Sequence, residues 1–146
     1  PEPCIKEARA LRTSVLRHPP GHIQRTAAYF LSLGHYDSLI RRMGQIYERR
    51  RSVMEDALAS HDLAVEGRGV FGGSSFWMRA PEGVDTKELD RRLRAKSVVI
   101  EPGHTFFHSP DAPRNTYRLA YSSIPSERIP MGIATLAAEL QAIQAE

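Results

Sequence analysis

Residues 115–123, NTYRLAYSS, decide the fold of this chain. Large apolar side chains recur at every second position, with Tyr117, Leu119 and Tyr121 on one side, which predicts a strand with one packed face. Arg118 belongs to the opposite face. Because a guanidinium cannot lose its proton, it is tolerated there only if that face is wet or if an anion meets it. The strand therefore indicates either a solvated surface or an anion-binding position at Arg118.

Helical periodicity dominates the chain before residue 61 and gives way to alternation after it. Apolar residues at helical spacing predict helices over about 5–16, 20–34 and 37–60, and a glycine ends the second of them. Alternation predicts short strands over 63–66 and 74–79. The change of period indicates a helical segment followed by a segment that contains a sheet.

The clearest local signal surrounds Asp85. Asp85 with Glu88 three residues later resembles a capping box, and Val84 and Leu89 occupy the two positions of a hydrophobic staple. These residues predict a helix from residue 86 to about residue 95.

The remaining elements complete an α+β pattern. Residues 97–101, SVVIE, are short and rich in β-branched side chains, which predicts a strand that ends at Pro102. A last amphipathic helix is predicted to begin between Ser126 and Pro130. The order of elements predicts helices packed on one side of a small, mostly antiparallel sheet.

The composition is that of one domain. With 146 residues and 41% hydrophobic content, the chain is long enough to bury a core, so we expect a single domain over 1–146, with a helical segment over 1–60 and an α+β core over 61–146. No apolar run is long enough for a membrane span or a signal peptide, so we expect a soluble, cytoplasmic protein. Cys4 is the only cysteine, which excludes an internal disulfide and a metal site built from several cysteines.

Two short motifs are weak candidates for a binding site. Residues 67–72, GRGVFG, match the G-x-G-x-x-G of a dinucleotide-binding turn, but a strand rather than a helix is predicted after them, so a loop between strands fits better. His104 and His108 are four residues apart, but flanking prolines argue against the helix that would bring them together on a metal ion. We expect no metal, and a loop histidine near a ligand pocket is the better interpretation.

A dense positive face on the third helix is a further candidate, for binding nucleic acid. The net charge is +3, and acidic residues interleave with the arginines while no aromatic accompanies them, which favours a solvated helix side. Nucleic-acid binding stays open as a hypothesis, and it predicts a steep loss of affinity with rising salt. The arginines are Arg41, Arg42, Arg49, Arg50 and Arg51.

Three segments in order resemble the C-terminal part of fold type I pyridoxal-phosphate aminotransferases: GGSSFWMRAPEG (72–83), VVIEPGHTFF (98–107) and TYRLAYSSIPSERI (116–129). Residues 18–58 look most like the aminotransferase-like region of GntR regulators of the MocR type, in which a winged-helix DNA-binding domain precedes an aminotransferase-like domain. The resemblance implies the small C-terminal domain of such a regulator. The alternative is the small domain of a genuine aminotransferase.

The resemblance also implies a role for Arg118. In the family the matching arginine grips the α-carboxylate of the amino-acid substrate or effector, and a planar fork suits that task because it donates two parallel hydrogen bonds. The loop over 102–108 is expected to line the entrance of the site. The implied partners are an amino-acid-like carboxylate ligand, the upstream large domain, a second copy of the parent protein, and DNA through a separate N-terminal domain.

Pyridoxal phosphate is the cofactor that the resemblance implies for the parent protein. In the family the lysine that binds it lies in the larger domain, upstream of the strand end that residues 1–3 match. The lysines of this chain, Lys6, Lys87 and Lys96, are not in the small-residue turn that such a lysine needs. We therefore expect a C-terminal piece of a longer protein that on its own neither holds the cofactor nor transaminates.

Overall fold

The computed structural model describes residues 2–66, 73–109 and 111–146. The helices are α1 (Glu2–Val15), α2 (Gly21–Ser32), α3 (His35–Ser60), α4 (Thr86–Ala95) and α5 (Ile129–Gln144). The strands are β1 (Ser75–Arg79), β2 (Glu101–Pro102) and β3 (Thr116–Ala120), and short 3-10 helices cover Gly103–Phe106 and Ser126–Arg128. The predicted G-x-G-x-x-G, residues 67–72, lies outside the described residues.

The chain forms two compact units, one ending at Met43 and the other comprising Gly44–Glu146. The boundary falls inside α3, and the single domain with a division at residue 60 stays a prediction. In the first unit, α1 and α2 have amphipathic sequences but bury none of their described residues. Gly34 follows α2 with a φ of 74°, a left-handed conformation that glycine adopts at little cost.

The second unit is built on an antiparallel sheet in the order β1-β3-β2. β3 is therefore the central strand, paired on both sides. The register places Arg118 opposite Trp77 of β1 and opposite Glu101 of β2. Residues directly opposite one another share a face of the sheet, so these three side chains form one row across it.

The other face of the sheet packs against helices. One cluster joins the strands to the C-terminal end of α3, to α4 and to α5, and it confirms the predicted α+β architecture. Its fully or nearly fully buried members include Met54, Leu58, Met78, Leu89, Leu93, Tyr117, Leu119, Leu136 and Leu140. The alternation of β3 thus has the predicted consequence, since Tyr117 and Leu119 are buried while Arg118 faces away from the core.

The predicted strand over 97–101 is mostly wrong, since only its last residue joins the sheet, in β2. Its first residues instead complete the end of α4. Ser97 has a φ of 61° and its amide donates to Arg94 at 3.1 Å, while the amide of Val98 donates to Leu93 at 3.0 Å. This pair of bonds is a Schellman ending, which satisfies free helix carbonyls before the chain can extend.

The predicted strand over 63–66 is shortened for the same reason. Asp62 has a φ of 53°, and the amide of Leu63 donates to Leu58 at 3.1 Å, which closes the end of α3. What remains is a single antiparallel bridge between Val65 and β1. Two helix endings therefore take residues that the sequence pattern assigns to strands.

The helix predicted from residue 86 is confirmed over Thr86–Ala95, but its capping box is not closed. Asp85 is the N-cap and its side chain accepts from the amide of Lys87 at 2.8 Å. The Glu88 carboxylate does not return to the cap and pairs with Arg91 and Arg92. The arginines one turn further on outcompete a backbone amide for this carboxylate because they are charged.

Among the helices that the structure describes, none is long and apolar enough to cross a membrane.

Candidate functional site

Arg118 is held on the open face of the sheet by a carboxylate from the neighbouring strand. Its Nε donates to Glu101 Oε2 at 2.8 Å and its Nη2 donates to Glu101 Oε1 at 2.7 Å. These two parallel bonds are the fork-to-fork geometry in which a guanidinium binds a carboxylate most specifically. Of the two alternatives that the sequence left open at Arg118, a solvated face or an anion, the chain itself thus supplies an anion.

Aromatic rings surround this ion pair. The Phe106 ring lies 5.2 Å from Cζ of Arg118, a cation–π contact. Trp77 meets Phe106 edge-on, with 5.4 Å between ring centres, and lies 6.1 Å from Phe107. The guanidinium therefore has an aromatic neighbour from the 3-10 helix and a carboxylate neighbour from β2.

The position of Phe106 depends on close contact between the 3-10 helix Gly103–Phe106 and β3. A Cβ atom on Gly103 would lie 2.5 Å from the carbonyl oxygen of Thr116, so the backbones approach too closely for any side chain there. Thr105 Oγ1 donates to the carbonyl of Pro102 at 2.9 Å and stabilises the turn. Within the predicted loop over 102–108, the 3-10 helix Gly103–Phe106 thus holds Phe106 beside Arg118.

The ion pair is exposed enough to exchange partners. Relative side-chain exposure is 39% for Arg118 and 43% for Glu101. Hydrogen bonding from Arg118 to Glu101 raises the pKa of Arg118 above its already high ordinary value, partial burial opposes this, and the charge of Glu101 adds to it. Arg118 is therefore a permanent cation whose charge is balanced by Glu101.

Arg118 lies on the face of the sheet opposite the core. Three clefts of about 410 to 470 Å³ lie elsewhere around the described core, and Arg118 lines none of them.

Comparison with known proteins places this chain in a family. The chain is 56% identical to the HTH-type transcriptional regulator TauR of Rhodobacter capsulatus over 141 residues, which are 97% of this chain and 29% of the regulator. It is 36% identical over 105 residues to aromatic-amino-acid aminotransferase 1 of Thermococcus litoralis, covering 71% of this chain and 25% of the enzyme.

A solved structure extends the similarity to nearly all of the fold. The α-aminoadipate aminotransferase LysN of Thermus thermophilus, complexed with N-(5'-phosphopyridoxyl)-L-leucine, matches 99% of this chain and 37% of its own with a TM-score of 0.81 and 27% identity. No protein-family model matches the chain.

The chain is an aminotransferase-like domain related to HTH-type transcriptional regulators. It spans less than a third of the length of the two curated relatives named here, 29% and 25%. The aminotransferases in the comparison imply pyridoxal phosphate as the cofactor of the family.

The lysines of this aminotransferase-like domain do not fit the covalent attachment of that cofactor beside Arg118. In Gly44–Glu146, Lys87 lies in the first turn of α4 and Lys96 follows its last turn, where Lys96 Nζ pairs with Glu139 of α5. Because α4 packs on the core side of the sheet, both lysines belong to the side opposite Arg118. In the described part of this unit, no lysine therefore lies next to Arg118.

The two candidate histidines lie in and after the 3-10 helix that carries Phe106. His104 is half-buried in the 3-10 helix Gly103–Phe106 and His108 is exposed after it. Across residues 2–66, 73–109 and 111–146, no group of three or more His, Cys, Asp or Glu side chains is placed to hold a metal ion.

Part of the positive face on α3 is engaged within the protein. Arg50 donates to the carbonyl of Ser122, and Arg51 Nε donates to Glu55 at 2.9 Å while its guanidinium lies 5.7 Å from the Phe76 ring. These two arginines have structural partners, which favours the interpretation of a solvated, self-paired helix side over a nucleic-acid interface.

Glu101, Trp77 and Phe106 are the residues that sequence reasoning missed. Each was visible within a predicted strand or loop, but neither the pattern nor the spacing shows which residue of one strand faces which residue of another. The signal that could have found Glu101 and Trp77 is the strand register, which tertiary packing sets, whereas Phe106 lies in the 3-10 helix after β2.

Proposed function

We propose that this chain is the small C-terminal domain of a GntR regulator of the MocR type, and that Arg118 anchors the carboxylate of an amino-acid-like effector. The parent protein would bind pyridoxal phosphate in its larger upstream domain and act in the cytoplasm as a homodimer on DNA. The 56% identity to an HTH-type regulator supports the regulator class.

The observation that supports the anchor most directly is the bidentate ion pair with Glu101. In this pair the guanidinium already donates two parallel hydrogen bonds to a carboxylate, at 2.7–2.8 Å. Central placement in the sheet fixes the direction of Arg118, because β3 is bonded on both sides. Such preorganisation lowers the cost of binding an acid.

Regulation would follow from closure of this domain on the effector. A ligand that contacts both the larger domain and Arg118 favours the closed arrangement, and it can shift the attached DNA-binding domain only through that difference in affinity. This chain would contribute Arg118, which contacts the carboxylate, and the aromatic side chains around it. The larger domain would contribute the cofactor and the lysine.

A genuine aminotransferase is the second candidate function, because the comparisons include aminotransferases of similar fold. In that protein the same arginine would hold the substrate in place for proton transfer. The sequence preceding this chain in its gene discriminates the two: a basic winged helix-turn-helix supports the regulator, and a chain that begins directly with the large domain supports the enzyme.

The test is Arg118→Lys in the full-length protein with effector affinity measured by calorimetry. Lysine keeps the charge but cannot donate the two parallel bonds, so we expect binding to weaken by about 1–3 kcal/mol, the range for a hydrogen bond to a charged group. Arg79→Lys is the matched control, since Arg79 also pairs with a glutamate on the sheet, Glu66, at 2.8 Å. Equal affinity of wild type and Arg118→Lys would contradict the assignment.

A further inference from the structure

Glu101 occupies one of the two edges of the Arg118 guanidinium that can bind a carboxylate with two parallel bonds. Nε and Nη2 form this edge, and both are bonded to Glu101. An incoming acid can take this edge only after Glu101 has left it, and at the other edge, formed by Nη1 and Nη2, it lies close to the negative charge of Glu101. We propose that Glu101 is a built-in competitor that sets the affinity and selectivity of the Arg118 site for carboxylates, an inference that rests on the proposed function of Arg118.

The charges favour a competing role for Glu101 over a role that only holds Arg118 in position. While Glu101 is bound, the pair is close to neutral, so Arg118 offers little net attraction to a second anion, and Glu101 repels an acid placed beside it. Removing Glu101 would restore the full positive charge of the guanidinium. A residue that served only to orient Arg118 would instead make binding weaker when it is removed.

The structure also allows Glu101 to leave. It lies on β2, an edge strand of two residues, and its side chain is 43% exposed. Exposed ion pairs contribute little net stability because water and salt replace the lost bonds at low cost. The carboxylate can therefore rotate into solvent without disturbing the buried face of the sheet.

Selectivity follows from this competition. A simple carboxylate at the edge that Glu101 holds gains only what Glu101 already provides, and at the other edge it meets repulsion from Glu101, so it binds weakly. A ligand that makes further contacts away from the guanidinium meets the same opposition from Glu101, but those contacts add to its affinity. The site therefore discriminates against small free acids in favour of larger ligands that carry a carboxylate.

The experiment is a titration of the 146-residue chain with sodium acetate, at constant ionic strength maintained with sodium chloride. The Arg118 Nε–H resonance reports binding by nuclear magnetic resonance, and Trp77, the single tryptophan of the chain, gives a fluorescence readout beside it. For Glu101→Gln we expect the acetate dissociation constant to fall about two- to fivefold relative to wild type, the span of exposed ion pairs.

Two variants make the result specific. Glu66→Gln, which removes the partner of Arg79 on the same sheet, should leave the acetate affinity at Arg118 unchanged. Glu101→Ser repeats the test without a side-chain amide that could bond Arg118, and it should bind acetate at least as tightly as Glu101→Gln. Unfolding midpoints of all variants confirm that the sheet is intact.

The outcomes separate the two proposals. If wild type and both Glu101 variants bind acetate with equal affinity, or the variants bind more weakly, Glu101 is not a competitor and the anchor role of Arg118 stands. If folded wild type and folded variants all fail to bind acetate at Arg118, the carboxylate anchor fails and the competitor fails with it.

Discussion

Gly103 is the residue at which the local sequence and the site are most tightly coupled. Its backbone lies against Thr116 so closely that a Cβ atom would come within 2.5 Å of a main-chain oxygen. A backbone atom cannot rotate away as a flexible side chain can. Any side chain here therefore has to push the 3-10 helix Gly103–Phe106 away from β3.

Gly103→Ala is expected to lower the free energy of unfolding by about 1–3 kcal/mol, the usual cost of overpacking. It should also change the fluorescence of Trp77, because Phe106 moves with the displaced 3-10 helix. Urea unfolding followed through that fluorescence measures both effects.

Gly132→Ala is the control for this prediction. It lies within α5 with nothing within 4 Å of an added Cβ atom, so alanine should stabilise the chain by up to about 1 kcal/mol through helix propensity. Destabilisation by both variants alike would show that the close contact at Gly103 is not the cause.

Arg118 shows which features of a single residue can be predicted from the sequence. Alternation in residues 115–123 places it on the face opposite Tyr117 and Leu119, and the structure confirms this. The identity of its partner was not predictable, because Glu101 is 17 residues away and reaches it only through the register of β2 on β3.

At the scale of elements, α4 is the part that local sequence specifies best. Its first and last residues agree with the prediction because Asp85 caps one end and the buried pair Leu89 and Leu93 fixes the packed side. The Schellman ending was not foreseen, since serine rather than glycine takes the left-handed position at Ser97. That ending is also what shortened the predicted strand that follows.

Glu88 makes α4 sensitive to acid. Hydrogen bonds from Arg91 and then from Arg92 hold the pKa of Glu88 at about 2, below its ordinary value of 4.5. A folded-state pKa below the unfolded value contributes stability that is complete above about 4.5 and is lost as pH falls towards about 2. Glu88→Gln should therefore be less stable than wild type at neutral pH, with a difference that shrinks across this window.

Urea midpoints at a series of pH values check this prediction. Glu82→Gln serves as the control, because Glu82 is exposed in the turn before α4 and has no ion pair among the described residues. A difference between wild type and Glu88→Gln that stays constant down to the acid end of the series would rule out the ion pairs as its source.

At the scale of the whole molecule, the first unit has exposed apolar side chains on both of its N-terminal helices, α1 and α2. α1 and α2 bury no residue, and exposed fractions reach 64% for Leu11 and 58% for Leu31. Amphipathic helices gain most of their stability by covering such a stripe. The 146-residue chain on its own should therefore self-associate as its concentration rises.

Sedimentation velocity over a broad concentration range tests this expectation. Leu11→Gln combined with Leu31→Gln keeps a good helix former at both positions and should reduce the association. Thr13→Gln combined with Thr26→Gln alters exposed polar positions of the same helices and should not. If association is equally strong in both double variants, the apolar surface around Leu11 and Leu31 is not its cause.

Local sequence by itself determined the order and type of most elements, the burial of Tyr117 and Leu119 and the exposure of Arg118, because periodicity, caps and breakers act over a few residues. The ordered segments around them also indicated the aminotransferase-like family. Only the tertiary structure decided that β3 is central, that the starts of two predicted strands form helix endings instead, and that Glu101 pairs with Arg118. These features depend on pairing between residues distant in sequence, where the packing of the whole sheet sets the register and no local pattern encodes it.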